Sequence, residues 1–93
     1  MSIVLNQGFI EDSVTYMMGL IKEKQGKFQE AGAYYERTIK LNPNHHEAYN
    51  QMGVIAYKVG AKDFAADFWQ RCLKIKPDYL PAIKNLEMLT SNK

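Results

Sequence analysis

Sliding the chain back on itself by 34 residues brings Met18 onto Met52, Gly19 onto Gly53, Ile21 onto Ile55, Lys24 onto Lys58 and Gly26 onto Gly60. The same ungapped register brings Ala31 onto Ala65, Arg37 onto Arg71, Lys40 onto Lys74 and Pro43 onto Pro77. A chain that is self-similar at this period builds the same supersecondary unit more than once, and each unit buries its apolar face against the next. One copy, Tyr49 to Pro77, displays the whole unit. It holds an apolar-periodic segment, a glycine, a second apolar-periodic segment and a proline, which predicts helix, turn, helix and stop.

Read in order, residues 1–11 are the hardest to place. Ile3, Val4, Leu5, Phe9 and Ile10 are too apolar for an idle tail. In the repeat register Val4 and Leu5 fall where Thr38-Ile39 and Cys72-Leu73 close second helices. The segment is therefore expected to be the remnant of an earlier helix, a cover for the first apolar face, or a partly ordered terminus. From Asp12 to Gln25 the positions Val14, Met17, Met18 and Ile21 follow helical spacing, with Asp12 or Ser13 as the expected N-cap. Gly26 ends that helix by tolerating a left-handed conformation. Phe28 to Leu41 forms the second helix, with Ala31, Tyr34, Tyr35, Thr38 and Ile39 on one side, and Asn42-Pro43-Asn44 stops it.

The cycle returns with Tyr49, Met52, Gly53 and Ala56, then Ala65, Phe68, Trp69, Cys72 and Leu73. After Pro77, Pro81 sits near a helix start, and Ala82, Ile83, Leu86 and Leu89 keep helical spacing. Glu87 stands where the earlier copies have glycine, and a carboxylate there suits a face that meets water, the mark of a terminal cap. The expected fold is all-α, an antiparallel helix-turn-helix solenoid of two repeats and a capping helix, about five helices. It forms one domain, with a segment at 1–11, repeats at 12–43 and 44–77, and a cap at 78–93. Mid-helix glycine costs about 1 kcal/mol relative to alanine, so Gly19 and Gly53 imply a packing requirement. Ala31 and Ala65 are expected opposite them, with Tyr35 and Trp69 filling the space between neighbouring repeats.

The chain has 93 residues, 46% apolar and 24% charged, which is the composition of a globular domain and not of a disordered or collagen-like one. No apolar run approaches the roughly 18 residues needed to span a bilayer, and the N-terminus lacks the basic region of a signal peptide. A cytoplasmic setting without membrane insertion is expected. A net charge of +2, from 12 basic and 10 acidic residues interspersed along the chain, gives no reason to expect nucleic acid. Lys40, Arg71, Lys74 and Lys76 gather towards second-helix ends, where they favour the C-terminal dipole. The single cysteine, Cys72, cannot form an intrachain disulfide.

Tyr49-x2-Met52-Gly53-x2-Ala56, Ala65-x3-Trp69 and Pro77 resemble the tetratricopeptide repeat pattern, since small, large and proline positions agree in spacing. The resemblance covers two repeats and the closing helix. In the first copy Thr15 stands where a large residue is usual and Lys22 where a tyrosine or aliphatic is usual, so that helix is expected to pack less tightly. The resemblance implies a non-catalytic interaction scaffold whose first helices line a concave groove. The groove residues would be Tyr16, Leu20, Glu23 and Lys24, then Glu47, Asn50, Gln51, Val54, Tyr57 and Lys58, then Lys84, Asn85 and Met88. Tyrosine offers contact area with a polar tip, and the amides can hydrogen-bond a peptide backbone. The expected partner is a peptide or helix of another protein, of unspecified identity.

The basic clamp with which some members of the family grip a C-terminal carboxylate is not carried over. Its positions hold Tyr16, Leu20, Gln51, Pro81 and Asn85. A second reading is self-assembly, because two repeats fall short of the three usually needed for stability, with Ile3 to Ile10 as a contact; a third is that the chain is part of a longer array. No cofactor or metal is expected. His45-His46 reads as an exposed turn pair without further ligands at suitable spacing, Cys72 as inert packing, and the glycines follow the repeat instead of forming a phosphate loop.

Overall fold

Glycine and proline divide the described residues into five helices. The computed structural model describes the backbone from Ser2 to Ser91 and the side chains of residues 11–91. The helices are α1 (Ser2–Lys24), α2 (Phe28–Leu41), α3 (His46–Lys58), α4 (Lys62–Ile75) and α5 (Leu80–Ser91). α1 pairs with α2 and α3 with α4, while α3 also packs on α2 and α5 on α4. This is the expected all-α repeat of helical hairpins with a closing helix.

The turns inside the two hairpins are built alike. Gly26 and Gly60 have φ of 80° and 89°, values that an L side chain rarely adopts. Their conformation lets the Lys27 N–H donate to the Lys22 carbonyl at 2.9 Å and the Ala61 N–H to the Ala56 carbonyl at 2.8 Å. Each pair is the long hydrogen bond of a Schellman ending. α2 and α4 stop differently, with Asn42 and Lys76 in extended geometry because a proline follows each.

Gly19 and Gly53 do serve close approach, but their partners differ from those expected. A Cβ on Gly53 would lie 2.6 Å from Trp69 Cδ1, and one on Gly19 would lie 2.7 Å from Tyr35 Cδ1. Each large ring therefore packs within its own hairpin on the bare backbone of the preceding helix, and Trp69 also clusters with Ala82 of α5, so it fills the space towards the next helix as expected. Ala31 and Ala65, both fully buried, let the second helix come close enough for this.

The start of the chain is also different from expectation. α1 runs unbroken from Ser2, so Asp12 is no N-cap and residues 2–11 continue into the first helix of the first repeat. The physical reason is in the register: Phe9 stands where Pro43 and Pro77 interrupt the later copies, and nothing breaks the helix. The side chains of Ile3 to Ile10, the expected contact, lie outside the described residues. Asp12 is instead buried at 5% exposure and its Oδ2 accepts from Asn42 Nδ2 at 3.0 Å.

The two departures of the first copy are compensated by polar contacts. Thr15 and Thr38 hydroxyls meet at 2.8 Å, and Lys22 reaches Glu30 on α2 at 3.2 Å. The apolar cluster lies further along, where Ala56, Ala65, Trp69, Cys72 and Ala82 are buried together from α3, α4 and α5. Val14, Met17, Met18 and Ile21, the residues that define the apolar spacing of α1, face outward at 47%, 58%, 37% and 50% exposure. Asp12 and Gly19 are the buried side of that helix, facing α2.

Candidate functional site

The first helices α1, α3 and α5 share one face because each hairpin places its first helix on the same side, and four of the expected site residues, Glu23, Gln51, Asn50 and Asn85, cross it as a connected row. Asn85 Nδ2 on α5 donates to Asn50 Oδ1 on α3 at 3.1 Å. Asn50 Nδ2 donates to Gln51 Oε1 at 3.2 Å, and Gln51 Nε2 donates to Glu23 Oε1 on α1 at 3.0 Å. Glu23, its side chain 10% exposed, has Lys58 Nζ 3.8 Å from its other oxygen. The Tyr35 hydroxyl also donates to Glu23 Oε1, at 2.8 Å. Burial and the hydrogen bond to the adjoining Glu23 carboxylate push the Tyr35 pKa up, so the phenol stays a neutral donor.

Within this row the side chains divide by availability. Asn50 is 4% exposed, and its backbone carbonyl accepts the Trp69 indole N–H at 3.0 Å. Its amide thus joins α3 to α5 while its carbonyl fixes the ring that packs on Gly53. Leu20, Gln51, Val54, Tyr57, Asn85 and Met88 are half-buried, and Lys24, Lys58 and Lys84 are exposed. Val54, Tyr57 and Met88 rest on the apolar cluster, with the Tyr57 ring 6.3 Å from that of Trp69. Lys58 lies over the Phe28 ring at 5.6 Å.

Tyr16 and Glu47 belong to an aromatic corner at the start of α3. Tyr16 stacks on His45 at 4.8 Å, and Tyr79 meets His46 edge-on at 4.6 Å. Burial pushes the pKa of both tyrosines up, and Glu47 adds to the effect in each. The histidines are therefore not the exposed turn pair expected from sequence. His45 Nδ1 accepts from the Ala48 N–H at 3.3 Å and caps α3, while its Nε2 is 3.9 Å from Asp12 Oδ2. Burial pushes the pKa of His46 down, favouring the neutral imidazole. Among the described residues no three His, Cys, Asp or Glu side chains gather as metal ligands. Cys72 is fully buried, and burial pushes its thiol up to about 11, which disfavours the nucleophilic thiolate.

On the opposite side, α2, α3 and α4 enclose a groove of about 570 Å³ lined mainly by apolar side chains, including Phe28, Met52, Ile55, Val59 and Phe64. The sequence reading did not identify it. The available signal was Phe64 and Val59, large apolar residues that fall off the buried stripes and are 66% and 61% exposed.

This architecture defines an α-helical repeat protein built from antiparallel helix pairs. The tetratricopeptide repeat family matches residues 14–45, and a family described as the Est1 DNA/RNA binding domain matches residues 31–90. The chain belongs to the tetratricopeptide repeat family and, over residues 31–90, to the family described as the Est1 DNA/RNA binding domain. The second match pulls against the expectation that nucleic acid is not a partner. No curated protein matches the chain. Among the described residues no helix is long and apolar enough to cross a membrane.

Proposed function

We propose that the protein is a non-catalytic, cytoplasmic interaction scaffold that binds a peptide or helix of a partner protein along the face of α1, α3 and α5. The observation that carries this reading is the hydrogen-bonded row Asn85–Asn50–Gln51–Glu23. It fixes three helices in register and leaves Leu20, Val54, Tyr57 and Met88 half-exposed beside it. A surface whose polar groups are already ordered loses little conformational entropy on binding, and half-buried aromatic and aliphatic side chains supply the contact area. Asn50 acts as a brace here, while Gln51, Tyr57, Lys58 and Lys84 are the polar contacts within a ligand's reach. The test is a pull-down with the intact chain and with Tyr57→Ala plus Val54→Glu, matched for helicity. A band lost with the variant identifies partner and surface, whereas equal recovery removes this face from consideration.

A second reading, nucleic-acid binding, is favoured by the match over residues 31–90. Arg37, Lys40, Lys62, Lys74 and Lys84 are exposed, and none forms an ion pair among the described residues. Phosphate binding by such groups weakens steeply with salt. Filter binding with mixed single-stranded RNA and DNA at two salt concentrations separates the readings. Retention at low salt that vanishes at high salt supports this one, and no retention at low salt excludes it.

A further inference from the structure

The outward stripe of α1 has features that select its occupant. From Ser13 to Ile21 the helix carries no charge, and Val14, Met17, Met18 and Ile21 are all exposed. In the repeat register the matching residues of α3 are Ala48, Gln51, Met52 and Ile55, each buried or half-buried on a helix that packs against α2. The same face is therefore covered in one repeat and bare in the other. The residues just upstream do not fold back to cover it, because α1 continues straight through Phe9, where the later copies turn at proline.

The spacing Val14-x2-Met17-Met18-x2-Ile21 reads the same in both directions. Two such helices laid antiparallel about a two-fold axis between Met17 and Met18 bring Val14 against Ile21 and Met17 against Met18. This is the self-complementarity that an isologous contact requires. Charge agrees with that direction. Exposed Glu11 lies before the stripe and exposed Lys24 after it, so antiparallel pairing puts the acid of one copy at the basic end of the other. Parallel pairing would set like charges side by side.

We infer that the exposed face of α1 is a docking surface for a second copy of this chain, which pairs with it antiparallel through Val14, Met17, Met18 and Ile21. This stripe adjoins the row, since Gln51 is the register counterpart of Met17, but the inference rests on self-association alone and does not depend on the partner-binding reading.

The test uses sedimentation velocity of the full chain over a range of concentrations. The expected result is a reversible monomer–dimer equilibrium that Met17→Glu weakens by at least about tenfold, as truncating a central apolar contact does, with an unchanged circular dichroism spectrum because Met17 is exposed. Oxidative cross-linking reads the direction. Met17→Cys lies beside its own copy across the axis and gives a covalent dimer. Val14→Cys lies opposite Ile21, roughly 10 Å from its copy at 1.5 Å per residue, and does not. A chain that stays monomeric at every concentration overturns the inference, as does a dimer that Met17→Glu leaves intact. Equal cross-linking at both positions overturns the antiparallel arrangement.

Discussion

The two hairpins share a register, a turn and a glycine under an aromatic ring, yet they are held together by different chemistry. In α3–α4 the interior is apolar: Trp69 lies on Gly53, Cys72 and Ala65 are fully buried, and α5 closes the cluster with Ala82. In α1–α2 the same positions carry hydroxyls. Tyr35 replaces the tryptophan and donates to Glu23, Thr38 replaces the cysteine and meets Thr15, and buried Asp12 accepts from Asn42. One backbone pattern thus tolerates two kinds of interior, provided that every buried polar atom has a partner. Among the described residues no buried side-chain nitrogen or oxygen lacks one. The difference teaches that the second hairpin should depend on volume, and the first on hydrogen bonds and on the charge state of its tyrosines.

The largest effect expected is for Trp69→Ala, about 3 to 5 kcal/mol of stability lost through a core cavity. Chemical denaturation checks it, and a loss below about 1 kcal/mol would mean that the second hairpin is not organised around the indole. Next are the glycines. Gly53→Ala should cost about 1 to 3 kcal/mol by overpacking, and more than Gly19→Ala if the Trp69 N–H bond to Asn50 prevents the indole from shifting. Equal melting temperatures for the two variants would show that neither ring is pinned.

Thr38→Val tests the polar interior. It keeps shape but leaves Thr15 with one partner fewer, at a cost of about 1 kcal/mol. Cys72→Val in the second hairpin should show no such loss of hydrogen bonding, and a Thr38→Val variant as stable as the parent would erase the distinction.

The smallest effect is a dependence on alkaline pH. Tyr16 and Tyr35 are raised from the ordinary 10.0 by burial, and in Tyr35 also by its hydrogen bond to Glu23. Below pH 10 both are neutral whether folded or unfolded, and the stability they contribute is fully present. Above it the unfolded chain releases protons that the folded chain retains, so stability falls as pH rises. Melting temperature followed from pH 8 to 11.5 should decline at the upper end, and less steeply in Tyr35→Phe. An identical decline in that variant would assign the effect to other groups, such as Tyr79 or Cys72.

Where a rule is local, it was readable from the chain. Gly26 and Gly60 end helices through their own backbone freedom, Pro43 and Pro77 through the constraint each places on its neighbour, and Phe28–Leu41 follows from periodicity alone. The beginning of α1 was misread for the same reason: Asp12 and Ser13 are good caps, but a cap requires a break, and no proline or turn supplied one. The expected site residues were legible only as positions on helix faces. Their division of labour was not, because whether Asn50 contacts a ligand or braces its neighbours depends on Asn85, 35 residues away.

By itself the sequence determined that this protein is a repeat of helical pairs, since the 34-residue period and its glycine and proline punctuation act within single helices and turns. Tertiary structure alone decided that the large rings pack on glycine within each hairpin, that Glu23, Gln51, Asn50 and Asn85 are one connected row, and that the apolar stripe of α1 faces outward. These outcomes depend on which helices become neighbours. Periodicity fixes which side of a helix is apolar, but only packing determines which side finds a partner.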